Sequence, residues 1–280
     1  MANDTQAAPA AAKTRSIRQT FDDLRSRGHI GLMPFVPSGY PDLATTAACL
    51  VGAERGGASV IEVGIPFSDP IADGPVIQEA FSAALTKKLK VEQTLETIAS
   101  VRGKMNIPLV SMVSYSIVFR YGVPRFVKAA REAGFNGLIL PDLPPPEAER
   151  ICDVVQSGGL ETILLIAPTT SPERRKEIAR LTSGFIYYLS ISGITGERDK
   201  LPPDLEAGLR QMRELTDKPV CVGFGISRPD HVAQLQGKAD GAIVGSGVVR
   251  RMRDHLNDSP AVIGTEVETY TRELLSTSNR

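Results

Sequence analysis

Eight short apolar runs, each followed by a stretch of helical spacing, recur along the whole chain at residues 30–36, 59–64, 107–113, 136–140, 161–166, 184–189, 219–224 and 241–245. Between them apolar residues return every three or four positions: Leu43, Ala47 and Leu50, then Val91, Leu95 and Ile98, then Phe126, Ala130 and Ala133, and later Leu205, Leu209 and Met212. That is the period of an amphipathic helix. A run that is apolar at consecutive positions suits a strand covered on both faces, as parallel strands are. Eight such units in 280 residues, with no linker or break in composition, predict an α/β protein built as one (β/α)8 TIM barrel over residues 16–280. The competing arrangement, a doubly wound sheet, usually carries a dinucleotide-binding glycine turn after its first strand. Here the first run passes into Pro37-Ser38-Gly39-Tyr40-Pro41, which has no such turn. Spacing over residues 17–27 adds a helix ahead of the first strand, and Ser246 with Val248, Val249 and Met252 predicts a short helix after the eighth. Residues 1–15, rich in Ala, read as a disordered extension.

Composition removes several classes of function. Lys+Arg and Asp+Glu each number 32, so no global field recruits nucleic acid or an anionic membrane, and the local cluster Arg250, Arg251, Arg253 reads as the solvated end of a helix. No apolar run approaches the ~20 residues of a membrane span. Cys49, Cys152 and Cys221 are odd in number, far apart and set among apolar neighbours, which fits reduced buried thiols in a cytoplasmic protein. The N-terminal stretch lacks the apolar core of a signal peptide.

Barrels of this kind place chemistry at the C-terminal ends of their strands. The stretch Val60 to Pro75 sets Glu62 among Val60, Ile61, Val63 and Ile65, and puts Asp73 just downstream in a segment broken by Pro66, Pro70 and Pro75, which are expected to continue neither strand nor helix. A carboxylate is costly to bury unpaired. Either Glu62 is a structural group satisfied by an arginine or by backbone amides, or the two acids form an acid–base pair with pKa values pushed apart. Glycines follow the last three strands: Gly193 and Gly196, then Gly223 and Gly225, then Gly245 and Gly247 with Ser246 between them. Such loops and a helix start bind phosphate, although tight turns also use glycine. Phe35, Tyr187 and Phe224 near strand ends suit either barrel packing or a flat apolar slot. None of His29, His231 and His255 ends a strand, and no lysine does, so neither a histidine metal site nor a Schiff-base mechanism is expected. Asp142, among Pro141, Pro144, Pro145 and Pro146, reads as a helix-start or loop-shaping residue.

At this point a family resemblance is visible. The motif E-x-G-x-P-F-S-D-P-x-A-D-G-P, from Glu62 to Pro75, with the segments MPFVPSGYPD, LILPDLPPPE, SGITGER and GFGIS in that order, resembles the tryptophan synthase alpha family from Phe21 to the last helix. The resemblance implies a lyase of tryptophan biosynthesis, cleaving indole-3-glycerol phosphate to indole and glyceraldehyde 3-phosphate. It implies Glu62 and Asp73 as catalytic, Gly196, Gly225, Gly245 and Ser246 around the phosphate, and Phe35, Tyr187 and Phe224 beside the indole. It further implies a lid over residues 190–203 in which Thr195 engages Asp73, no cofactor or metal in this chain, and a heterotetramer with a beta subunit that carries pyridoxal phosphate. Relatives often have Tyr-Asn-Pro after the third strand, whereas this chain reads Ser114-Tyr115-Ser116-Ile117, a departure in a loop that helps contact the partner. The alternatives are another phosphate-binding barrel enzyme, a stand-alone lyase without a partner, and a non-enzymatic regulatory barrel.

Overall fold

The computed structural model describes residues 15–70, 73–190, 204–223 and 225–278; the N-terminal extension read from the sequence therefore lies almost wholly outside the described residues. Eight parallel strands close into a barrel in sequence order: β1 (Gly31–Pro37), β2 (Ile61–Gly64), β3 (Leu109–Met112), β4 (Gly137–Ile139), β5 (Glu161–Ile166), β6 (Ile186–Leu189), β7 (Val220–Gly223) and β8 (Gly241–Val244). Closure is made by β1 against β8, with Gly31 opposite Gly241 and Pro34 opposite Val244. Seven of the strands fall inside the apolar runs, and β1 runs one residue past its own, to Pro37.

Helix α1 (Ile17–Ser26) precedes the barrel. Ser16 caps it, its hydroxyl accepting from the Gln19 amide while the Gln19 side chain accepts from the Ser16 amide, which satisfies donors a helix start leaves open. Ile17 and Phe21 of this helix join Met33, Val60, Val110, Ile139, Ile163, Phe185 and Cys221 in one buried cluster, the barrel interior. A second, larger cluster fills the layer between strands and outer helices. Alternation decides which cluster a residue enters: Val60, just ahead of β2, points in while Ile61 and Val63 point out.

The outer layer runs α2 (Leu43–Arg55), α3 (Pro75–Thr86), α4 (Val91–Arg102), α5 (Tyr115–Tyr121), α6 (Val123–Ala133), α7 (Ala148–Ser157), α8 (Pro172–Leu181), α9 (Leu205–Leu215), α10 (Pro229–Leu235), α11 (Ser246–Asp254) and α12 (Pro260–Leu274). Two of these correct the sequence reading. Pro75 does not break a helix; it opens α3 as its first residue, where a missing N–H is no loss. The segment after β3 is the helix α5, with Ser114 as its N-cap. The short helix expected after the eighth strand is α11. Its arginines are not a merely solvated end, since Arg251 lies over the Tyr270 ring and Arg253 approaches Glu79 and Asp254. Among the described residues no helix is long and apolar enough to cross a membrane.

Candidate active site

Inward parity on β2 puts Glu62 inside the barrel, between Phe35 of β1 and Val110 of β3. It is 1% exposed, and its Oε2 has no hydrogen-bond partner among the described residues. Among the described residues no arginine or amide satisfies that oxygen, as one would in a purely structural glutamate. Burial, and then the like charge of Asp73, push the Glu62 carboxyl up to about 8. An acid so placed holds its proton at neutral pH.

Asp73 stands two residues ahead of α3. Its amide donates to the Pro70 carbonyl at 3.1 Å and its own carbonyl accepts from the Gln78 side chain at 2.6 Å, so the loop is tied to the helix it precedes. Burial raises the Asp73 carboxyl less, to about 6. At pH 7 one acid is therefore mostly protonated and its neighbour mostly ionised.

Asp73 lines a cavity of about 320 Å³ at the ends of β2 to β5. Ile65, Phe67, Phe81, Met112 and Leu165 supply apolar walls. One end is polar: the Asp142 carboxylate accepts from the Ser114 hydroxyl at 2.6 Å and from the Tyr115 amide at 2.7 Å. Asp142 thus shapes the neighbouring loop by capping α5. Glu62 is not among the residues bordering this cavity; it lies within the barrel, close enough to Asp73 for their charges to interact. Met112 and Leu165 were not singled out from sequence. The available signal was parity, since each lies two positions beyond an interior residue, Val110 and Ile163.

Two glycines make room for the aromatic residues. A Cβ on Gly64 would stand 2.3 Å from the Phe35 ring, and one on Gly223 would stand 2.4 Å from the Tyr187 ring. Each ring therefore leans across the adjacent strand toward the barrel end. Tyr187 is 4% exposed, and burial, then Glu62 and Asp73, raise its hydroxyl well above the usual phenol range. It stays neutral.

Gly225 follows β7 with φ of +84°, a conformation that favours glycine. Gly245 precedes α11, and Ser246 is the first residue of that helix, where first-turn amides lack partners inside the helix. A Cβ on Gly245 would lie 3.4 Å from Ile77 of α3, so this turn abuts the helix that follows Asp73. Thr195, Gly196 and Phe224, and all but the first residue of the segment 190–203, lie outside the described residues.

A barrel with this acid pair and these glycine turns has well-defined relatives. The family model described as "Tryptophan synthase alpha chain" matches residues 21–278. A tryptophan synthase alpha chain of Synechocystis is 43% identical over 260 residues, covering 92% of this chain and 97% of that one. One from Rhodopirellula baltica is 41% identical, covering 92% and 94%. Among solved structures, a mutant tryptophan synthase alpha-subunit from Pyrococcus furiosus superposes with a TM-score of 0.81 at 34% identity, covering 89% of this chain and 98% of that one. Mycobacterium tuberculosis tryptophan synthase gives 0.80 at 33%, covering 93% and 99%. Sequence, closed barrel and inward glutamate agree: the chain belongs to the tryptophan synthase alpha chain family, lyases of tryptophan biosynthesis.

Proposed function

We propose that Glu62 and Asp73 carry out the retro-aldol cleavage of indole-3-glycerol phosphate to indole and glyceraldehyde 3-phosphate. The observation that carries this reading is the split between the acids, one sealed inside the barrel with its carboxyl near 8, the other at a cavity wall near 6. The protonated Glu62 delivers its proton to indole C3, while ionised Asp73 takes the N–H proton or holds its developing charge. The indolenine so formed is the electron sink. Glu62, now a carboxylate, accepts the proton of the adjacent glycerol hydroxyl, the carbon–carbon bond breaks, and its electrons restore the aromatic ring as Asp73 returns to the nitrogen the proton it took. The glutamate ends as it began, and the proton lost from the hydroxyl has in effect arrived at C3. No lysine or metal is required by this route, and the chain needs no cofactor of its own.

The apolar cavity walls, with Phe35 and Tyr187 leaning over their glycines, would receive the indole. Amides around Gly225, Gly245 and Ser246 would hold the phosphate; Gly196 and Phe224 would complete the contacts, and Thr195 would meet Asp73. A beta subunit carrying pyridoxal phosphate is the proposed partner, in an α2β2 assembly in the cytoplasm. Phe119, 65% exposed and 5.9 Å from the Tyr115 ring on α5, supports a docking face beside the cavity. A solved tryptophan synthase complex from Pyrococcus furiosus is among the structural neighbours.

Indole release from indole-3-glycerol phosphate by the purified chain tests the reading directly. Glu62→Gln and Asp73→Asn should each lower the rate by ~10²-fold or more while the circular dichroism spectrum is kept. Wild-type rates from Glu62→Gln would exclude the mechanism. Added beta subunit should co-elute with the chain and raise the rate.

A further inference from the structure

The last helix reaches back into the loops that follow β7 and β8. Tyr270 is 5% exposed, and its hydroxyl donates to the backbone carbonyl of Ser227 at 2.7 Å. Ser227 lies two residues beyond Gly225. The same side chain stands over the first turn of α11: a Cβ on Gly247 would lie 2.2 Å from the Tyr270 hydroxyl oxygen and 3.1 Å from Cζ. One phenol therefore touches both segments assigned above to the phosphate.

Its support is rigid. The Arg251 guanidinium lies 4.9 Å from the Tyr270 ring centroid and reaches toward Glu273. Six residues earlier, α12 meets α2 backbone to backbone. A Cβ on Gly52 would stand 2.1 Å from the Gly264 carbonyl oxygen, and one on Gly264 would stand 2.8 Å from that of Ala48. Helices in such contact cannot shift without breaking close packing. Tyr270 thus projects from a packed platform onto both turns, beside the buried Ile226 and the His231 ring whose Nδ1 accepts from the Ser227 amide at 3.4 Å.

We propose that Tyr270 is a positioning residue for the phosphate cradle. It holds the Ser227 carbonyl and the Gly247 turn in register, so that amides about Gly225, Gly245 and Ser246 converge on one anion. The proposal rests on the phosphate reading above. Tyr270 touches no substrate atom in this scheme; it acts through the two turns. Backbone donors favour an anion most when their directions are fixed before it arrives.

Kinetics of indole release by Tyr270→Phe, with inorganic phosphate as competitor, test the assignment in the full-length chain. Loss of one buried hydrogen bond should raise both KM for indole-3-glycerol phosphate and the inhibition constant for phosphate about 3- to 10-fold, with kcat changed less than about twofold. Affinity for indole, which has no phosphate, should stay the same. A tyrosine serving stability alone would lower the melting temperature and the active fraction while leaving both constants in place, and that result overturns the proposal. Gly247→Ala sharpens the test. In the wild-type background its methyl drives the hydroxyl off Ser227 and weakens phosphate competition; in the Tyr270→Phe background it should add little. Strictly additive effects also overturn it. If phosphate competes equally against wild type and Tyr270→Phe, this proposal fails and the cradle stands. If phosphate does not compete with substrate even in the wild type, the cradle reading fails and takes the proposal with it.

Discussion

Two buried carboxylates in this barrel are made tolerable by opposite means. Asp240, at the start of β8 on the barrel floor, is 5% exposed and accepts from Arg25 Nε at 2.6 Å, Arg25 Nη2 at 3.1 Å and the Val220 amide at 2.6 Å, with Arg213 completing the set. Glu62, toward the other end, is 1% exposed with an oxygen that no described residue satisfies. The floor pairs its acid with arginines, whereas burial at the other end favours the protonated form of Glu62. Fixed pairing serves architecture, because α1, α9 and the starts of β7 and β8 all meet at Asp240. A proton can leave and return, so the costlier arrangement is the one that can do chemistry.

Removing each acid should therefore have opposite consequences, and the largest concerns turnover. Glu62→Gln should cost ~10²-fold or more in rate, yet Asp240→Ala should leave the rate of the folded fraction unchanged. Stability should invert the order. Asp240→Ala strands two arginines and a buried amide, at about 3 kcal/mol, or a fall of roughly 6–12 °C in melting temperature for a domain of this size. A stability loss under about 1 kcal/mol would show that the floor cluster is not the clamp its geometry suggests.

Glu62 should also leave a signature in pH dependence. Its folded pKa, about 8, lies above the ordinary carboxyl value. Between the two the native state binds more protons than the unfolded chain, so stability falls as pH rises through that window. Glu62→Gln should accordingly melt close to wild type at pH 5 and several degrees above it at pH 9. The wild-type profile of kcat/KM should be bell-shaped, with an acid limb near 6 from Asp73 and an alkaline limb near 8 from Glu62. A profile flat from pH 5 to 9 would remove the division of labour between the two acids.

Much of this was legible in the chain because parallel strands covered on both faces leave consecutive apolar residues, against which Glu62 stands out as a foreign charge. The barrel and the buried place of Glu62 follow from that contrast, whereas Asp73 is visible only as an acid in the Gly/Pro segment after it, and the pairing of the two is what the family resemblance implies. What stayed hidden depends on contacts distant in sequence. Ser114 caps α5 with help from Asp142, 28 residues away, and Tyr270 reaches Ser227 across 43; no local pattern announces either bond. Met112 and Leu165 look like ordinary core in the sequence, and only barrel closure brings them to a cavity wall. Pro75 looks like a breaker in the sequence because its identity is visible there and its position at the start of α3 is not.

The smallest effect should come from Glu161, which breaks the simple division between the two ends of the barrel. It begins β5 on the floor, yet its Oε2 has no partner among the described residues. Burial pushes its carboxyl up to about 7, while the Ile17 amide and the charge of Arg18 pull the other way. Both belong to the start of α1, whose dipole favours an anion there. The native state again holds the extra proton, so stability is lost as pH rises from the ordinary carboxyl range through about 7. Glu161→Gln should raise the melting temperature by only about 1–2 °C at pH 8, because partial exposure and the helix start already soften the penalty. At pH 4 it should change nothing, and indole release should be unaffected at both. A larger gain at pH 8 would mean that the floor, too, keeps an acid neutral by protonation, and that arginine pairing there is peculiar to Asp240.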